Sequence, residues 1–388
     1  MDYLERAQLL GQDTSALKLG KTITSTVTVN SLADFKKIFG SDITANQRTA
    51  FVSKEEVEPS PLNNLMNNVF GEQELTEEDN TFAKQIFPVK LQAVSAANLT
   101  INKDLVIGPS AAPTVYNVNL LTFAGGSLTV ESTAFQLHAN QVIVNSPGGK
   151  PYSLGILGTK VATQPGTGAP GPSYAGPAGA GASSNVPSPG ICTGARAAGN
   201  GNPGRAGHEG GTGHHGANGL PSMPANIVIN AYDQSTGQPL KVFTQSGPGG
   251  DGGPGGPGGP GQTGGKGGNG CNSGCEGTNG GNGNTGGTGG TGGFGGNGGN
   301  GVNGNNVTIS FPAAQKSLLQ TSTAPALPGK PGQGGTPGQP GAGGGPGAGG
   351  KHASNGSPGG QGGPGSPGNP GQPGTKTGTA GTFLLNFT

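Results

Sequence analysis

The sequence lacks tryptophan and has few charged residues, few cysteines and no long apolar run. Apolar residues make up 30% of the 388 residues, which is too little for a conventional core of the size of the chain. Charged residues are 10% and the net charge is +1, so we expect no nucleic-acid partner. No stretch approaches the roughly 18 apolar residues of a spanning helix, so we expect no membrane insertion.

The first residues, MDYLERAQLLGQD, lack the basic start and the apolar run of a secretory signal. The expected location is an extracellular surface, a fibre or a virion, and the missing signal implies that the protein would reach it by lysis or by an export route other than the Sec pathway. The glycine-rich part contains no GxSxG motif, no HExxH motif and no paired acids. We expect a non-enzymatic protein with no catalytic residues, no cofactor and no metal.

Glycine is what the chain has in excess, with 84 glycines and 33 prolines. Such a composition is typical of disorder when no period is present, but here glycine recurs at every third residue. The series cover residues 201–219, 249–270, 274–304, 329–350 and 356–374, and less regularly residues near 165–181. They are interrupted by the polar stretches CNSGC (271–275) and KHASN (351–355). These breaks predict turns, so each glycine-rich excursion is predicted to be a hairpin.

A period of three without internal hydrogen bonds indicates polyproline II geometry, at about 3.1 Å per residue. A collagen-like trimer needs an unbroken Gly-X-Y series, whereas many triplets here are Gly-Gly-X and the phase breaks midway. A flexible low-complexity brush is the other alternative. Two bare glycines per turn favour several hydrogen-bonded neighbours instead, because the backbone groups cannot bond within one leg.

The stretches GGPGGPGGP (252–260) and GGTGGTGGFGGNGGNG (286–301) resemble the polyglycine II bundles of the snow flea antifreeze protein and of some phage tail-fibre tip adhesins. The resemblance covers residues 164–222, 247–304 and 328–381 and carries no function with it. The predicted fold class is mainly β plus polyglycine II. It comprises a small α-containing N-terminal module, a β-solenoid or sheet base with repeated strands, and three antiparallel polyglycine II hairpins forming a bundle.

The chain divides by composition near Phe87–Pro88, because residues 1–90 hold 13 of the 19 acidic residues. DYLERAQLL, SLADFKKIFG and LTEEDNTFAKQIF have helical apolar spacing, with Ser31 and Thr76 at N-cap positions, and residues 22–29 alternate as a strand does. We predict an N-terminal attachment or assembly module at 1–90 and a β-rich base at 91–163. Residues 164–388 are predicted to interleave three glycine-rich hairpins with returning strands.

Short strands recur with centres at residues 143, 228, 308 and 384. A second apolar piece follows three of them, at 154–157, 240–243 and 318–319. This is an internal repeat of about eighty residues, which predicts that the strands lie side by side. The last strand has apolar residues, Phe383, Leu384, Leu385 and Phe387, and no blunting Pro or Lys. We expect a second subunit to pair with it; the alternative is that the N-terminal module covers it.

The three cysteines, Cys192, Cys271 and Cys275, fall in or near the predicted turns. Cys271 and Cys275 could staple one turn, or Cys192 could bridge to the neighbouring turn; free thiols and half a metal site are the other interpretations. His208, His214 and His215 are interpreted as polar surface residues.

The leading functional hypothesis is a surface or extracellular fibre building block that self-assembles and presents a stiff glycine-rich bundle. The partner is then a further copy of the chain, with a cell-surface receptor or a fibre stalk as a second partner through the N-terminal module. One alternative is a phage-type receptor-binding tip adhesin, whose contacts would be the turns at 182–193, 271–276 and 351–355. A third is an ice-binding protein, for which Thr285, Thr288 and Thr291 form one short row.

Overall fold

The computed structural model describes residues 2–52, 61–109, 112–161, 165–186, 192, 195–273 and 276–388. Within these ranges the helices are α1 (Tyr3–Leu9), α2 (Thr14–Lys18), α3 (Leu32–Gly40), α4 (Ala45–Val52), α5 (Pro61–Phe70) and α6 (Glu77–Ile86). The strands are β1 (Ile23–Val29), β2 (Val89–Ile101), β3 (Leu105–Ile107), β4 (Thr114–Ala124), β5 (Leu128–Glu131), β6 (Phe135–Ser146), β7 (Leu154–Leu157), β8 (Ala225–Asp233), β9 (Leu240–Gln245), β10 (Val307–Phe311), β11 (Leu319–Ala324) and β12 (Phe383–Phe387). A short 3-10 helix (Ala313–Leu318) precedes β11.

Local sequence signals account for most of the helix boundaries. The hydroxyl oxygens of Ser31 and Thr76 accept hydrogen bonds of 3.2 Å from the backbone N–H groups of Asp34 and Asp79, so both residues are the predicted N-caps. The sequence analysis did not include α5, although it begins at a proline and buries one apolar face, formed by Leu65, Met66, Val69 and Phe70.

The strands form two sheets. The larger has seven strands in the order β1-β2-β4-β6-β8-β10-β12, in which β1 is antiparallel to β2 and all other pairs are parallel. The smaller has five parallel strands in the order β11-β9-β7-β5-β3. From β2 onward the chain alternates between the two sheets, which is why neighbours within each sheet are parallel.

The predicted fold class is wrong. We expected a mainly β protein with a polyglycine II bundle, whereas the regular elements form an α/β fold with a seven-stranded mixed sheet and a five-stranded parallel sheet. The physical reason is that the apolar side chains outside the glycine-rich segments suffice for two cores. Within the predicted N-terminal module, β1 pairs with β2, which begins at Val89 and runs past the expected boundary.

The two cores lie on opposite faces of the seven-stranded sheet. One face packs against the five-stranded sheet through a cluster that includes Phe123, Phe135 and Phe311. The other face packs against the helices through a cluster that includes Phe39, Phe70 and Leu384. The architecture is therefore three layers, with the seven-stranded sheet in the middle.

The repeated strands lie beside one another, but the predicted alignment holds for only one pair. Thr308 is opposite Leu384, as the repeat predicts. Val228 is instead opposite His138, and Ile143 is opposite Asp233. The error arises because β6 has two apolar pieces in its 12 residues, and the sequence repeat was aligned on the second.

Candidate binding and assembly surfaces

Three glycine-rich excursions leave the five-stranded sheet after β7, β9 and β11, and each returns to the seven-stranded sheet as β8, β10 or β12. Each excursion has two extended segments, and we call the six together the glycine-rich slab. Segments 1 to 6 cover residues 165–186, 195–220, 247–273, 276–304, 326–350 and 353–381. Backbone hydrogen bonds place segments 1, 3 and 5 in one layer and segments 2, 4 and 6 in the other.

The period of three arises because successive residues of a segment face three different directions. In segment 3, Gly252 N–H donates to the Lys330 carbonyl in the same layer, and Gly253 N–H donates to the His214 carbonyl in the other layer, both at 2.8 Å. Pro254, the third residue, faces outward, where its missing N–H leaves no bond unmade. A Cβ atom at Gly252 or at Gly253 would overlap a carbonyl oxygen of a neighbouring segment. At these positions of segment 3, glycine is therefore required at two residues in three.

Outward-facing residues other than proline retain a backbone N–H group. Acidic or amide side chains accept hydrogen bonds from several of these groups. The Asn282 Oδ1 atom accepts from the N–H of Ser357 at 2.8 Å, and the Asp251 Oδ1 atom accepts from the N–H of Lys330 at 2.8 Å. Equivalent bonds join four further pairs: Asn279 with Ser354, Asn297 with Gln372, Asn300 with Thr375, and Asn303 with Thr379. These side chains tie adjacent rows together on both faces of the slab.

The turns of the three excursions lie together at one end of the slab. Cys192 and Cys271 form a disulfide with a Cα–Cα distance of 6.1 Å, which is a bridge between neighbouring turns, one of the alternatives considered from the sequence. Cys275 lies outside the described residues, as do parts of the predicted turns at 182–193 and 271–276. The third turn joins the second through the N–H of Lys351, which donates to Asn272 Oδ1 at 3.0 Å.

The histidines of the slab do not form a metal site in the structure. The ring of His208 packs against that of Tyr174, with 5.0 Å between the centroids. His214 and His215 lie further along segment 2 and are exposed. Among the described residues, no group of three His, Cys, Asp or Glu side chains is arranged to hold a metal ion.

The outer edge of β12 is open. The Thr382 carbonyl accepts from Val307 at 2.9 Å and Thr388 donates to the Phe311 carbonyl at 3.0 Å, so the backbone of even-numbered residues faces β10. The backbone groups of Phe383, Leu385 and Phe387 therefore face the outer edge, where no described strand pairs. The side chains of Leu385 and Phe387 are 40% and 42% exposed.

The N-terminal helices cover one face of β12 but not its edge. Leu384 is buried in the helix-facing core, and Gln47 of α4 reaches its carbonyl oxygen. The alternative that the N-terminal module covers the last strand therefore holds for this face, but not for the edge. The other edge of the same sheet is β1, a Thr-rich strand that pairs with β2 alone among the described strands. The sheet therefore ends in two open edges.

An exposed aromatic ring occupies one face of the slab. Phe294 stands in the outward row of segment 4, is 57% exposed, and borders a shallow depression of about 410 Å³. The sequence analysis quoted the stretch that contains Phe294 without selecting this residue. The signal was present, because Phe294 is the single aromatic residue in a row otherwise formed by Asn and Thr.

A buried polar row crosses the seven-stranded sheet beneath α1. Ser95, Asn117 and His138 are opposite one another on β2, β4 and β6, and the Asn117 side-chain amide donates to the Tyr3 carbonyl at 2.7 Å. Burial and the nearby Arg6 cation lower the pKa of His138 to about 4, although the Asp42 carboxylate opposes the shift. This histidine therefore stays neutral in the folded protein at neutral pH.

No protein family, curated protein or solved structure matches the chain. None of the described helices is both long and apolar enough to cross a bilayer.

Proposed function

We propose that the protein is a non-enzymatic structural subunit that assembles end to end and displays the glycine-rich slab along the assembly. The observation that carries this proposal is the open outer edge of β12, with its exposed Leu385 and Phe387. An unblunted apolar edge strand is a template for pairing with another chain.

A second copy of the chain is the partner best suited to pair with this edge, because β1 gives the same sheet a complementary edge. β1 is antiparallel to β2, and β2 is parallel to the strands that lead to β12. A β1 strand placed beside β12 of another copy in the same sheet direction would pair with it in the antiparallel sense. Such a head-to-tail contact need not produce a closed ring, and its repetition from copy to copy gives a filament.

Point substitutions test this proposal better than deletion of β12, because Leu384 belongs to the core. The double variant Leu385→Lys/Phe387→Lys blunts one edge, and Thr24→Lys/Thr28→Lys blunts the other. We expect wild-type filaments by electron microscopy and a monomer of each variant by light scattering. Leu327→Lys is the matched control, since Leu327 is 61% exposed on the slab and lies on neither edge.

Two outcomes would overturn the proposal. A wild-type protein that stays monomeric at high concentration has no assembly to explain. An assembly that is lost in the β12 variant but unchanged in the β1 variant would be a closed dimer of two β12 strands rather than a filament.

A further inference from the structure

We propose that the depression around Phe294 binds a pyranose ring of a neutral carbohydrate. Phe294 presents its ring to solvent from the middle row of one slab face, in the depression of about 410 Å³. The flat C–H face of a pyranose is an apolar surface of matching size, and burial of an aromatic face is a large source of binding energy. The inference does not depend on end-to-end assembly.

Polar side chains surround the ring on both sides. Segment 2 contributes Thr212 and His215, and segment 6 contributes Asn369 and Gln372; all four residues are exposed. Together they offer hydroxyl, imidazole and amide groups, which donate to and accept from sugar hydroxyls. This combination of one apolar surface with convergent polar groups is typical of small-molecule sites.

Two of the polar groups are oriented by the slab backbone. The Nδ1 atom of His215 accepts a hydrogen bond of 2.9 Å from the N–H of Asn297, so the neutral ring carries its proton on Nε2. The Oδ1 atom of Asn297 accepts from the N–H of Gln372 at 2.9 Å, which leaves the Nδ2 amide group to donate elsewhere. Both donors are thus held in place before a ligand arrives, which lowers the entropic cost of binding.

The charge of the depression selects among carbohydrates. Among the residues that the structure describes, no Asp, Glu, Lys or Arg side chain lines it. An anionic sugar would find no cation to pair with, whereas neutral hydroxyls match the amide and imidazole groups. We therefore assign the site to neutral pyranoses rather than to uronic or sialic acids.

Saturation-transfer NMR tests the proposal with cellohexaose, maltohexaose and mannohexaose as neutral probes and a galacturonic acid oligomer as the charged probe. We expect transfer to at least one neutral probe from the wild-type protein. Phe294→Ala should raise the Kd for that neutral probe at least tenfold, and Phe294→Tyr should retain binding. Gln372→Ala, which keeps the backbone N–H that binds Asn297, should weaken binding without disturbing the slab.

Thr285→Ala is the matched control, because Thr285 lies in the same row away from the depression and its loss should leave the Kd unchanged. No transfer to any neutral probe at millimolar concentration would overturn the proposal. So would binding that Phe294→Ala leaves intact, or binding of the charged probe alone. Repeating the titration with the Leu385→Lys/Phe387→Lys variant separates sugar binding from assembly, since binding should persist there.

Discussion

The side-chain amide of Gln47 donates a hydrogen bond of 2.9 Å to the carbonyl oxygen of Leu384 and so joins α4 to the last strand of the chain. The amide oxygen of Gln47, Oε1, accepts a hydrogen bond of 3.1 Å from the backbone N–H of Thr44, which fixes the orientation of the side-chain amide. The residue is buried. One side chain thus connects α4 of the helical layer to the strand at the open sheet edge.

We expect Gln47→Leu to lower the free energy of unfolding by about 1–3 kcal/mol, because a buried hydrogen-bond network loses a member. The effect should be largest at β12, whose amides should exchange faster than those of β4 in hydrogen-exchange mass spectrometry. Gln85→Leu is the control, since Gln85 is exposed on α6. Equal losses of stability in the two variants would contradict a specific role for Gln47.

The disulfide between Cys192 and Cys271 closes a loop between residues that are 79 positions apart. Closing a long loop stabilises a protein by roughly 2–4 kcal/mol. We expect Cys192→Ser to accelerate exchange at Ser184 and Gly268, whose N–H groups bond near this end of the slab, and to leave β4 protected. Cys275→Ser is the control for loss of a thiol. Unchanged exchange in Cys192→Ser would show that the backbone bonds alone hold the turns.

Local signals predicted local structure well in this chain. Ser31 and Thr76 are N-caps, and the apolar pieces near residues 228, 308 and 384 are strands. Longer-range features were predicted less well: the pairing of Ile143 with Asp233 depends on how a long strand aligns with a shorter one, which apolar triplets do not encode. The fold class was wrong because composition drew attention to glycine, while α4 and α5 supply part of a helical layer that packs on the sheet.

At the candidate sites, too, local features could be predicted from the sequence and longer-range ones could not. The cysteine pattern left open a staple within one turn and a bridge between neighbouring turns, and only the arrangement of the turns distinguishes them. The open edge of β12 was visible in the sequence, but the covering of Leu384 by the helices was not. Phe294 stands out only once the triplet rows are known to face outward, because its polar neighbours are about 80 residues away along the chain.

The low pKa of His138 makes stability depend on pH. The folded-state pKa is about 4, below the ordinary value of 6.5, so the unfolded state binds more protons between these values. Stability is therefore full above pH 6.5 and is lost as the pH falls toward 4, by about 2–3 kcal/mol at pH 4.5. Urea unfolding at pH 7 and 4.5 measures this loss. His138→Gln should reduce it, and the exposed His352→Gln should not; equal losses in both variants would contradict the assignment.

Adjacent glycines in segment 6 provide a matched test of the slab. A Cβ at Gly362 would overlap the carbonyl oxygen of Gly287, whereas a Cβ at Gly363 faces outward and would lie 3.7 Å from the Thr288 Cγ2 atom, an ordinary contact. Gly362→Ala should therefore destabilise the protein by about 1–3 kcal/mol or more, because the rigid neighbouring backbone must move.

Gly363→Ala should be neutral or stabilise by about 0.4–1 kcal/mol, because alanine restricts the unfolded chain without strain at this position. Both variants make the same chemical change one residue apart, so composition and helix or strand propensity cancel in the comparison. Thermal unfolding and hydrogen exchange at Gly341, whose N–H donates to the carbonyl oxygen of Gly287 at 2.8 Å, are the measurements. If the two variants behaved alike, close backbone approach could not be the reason for glycine at the positions that face a neighbouring segment, and the slab would have to derive its order from the sheets alone.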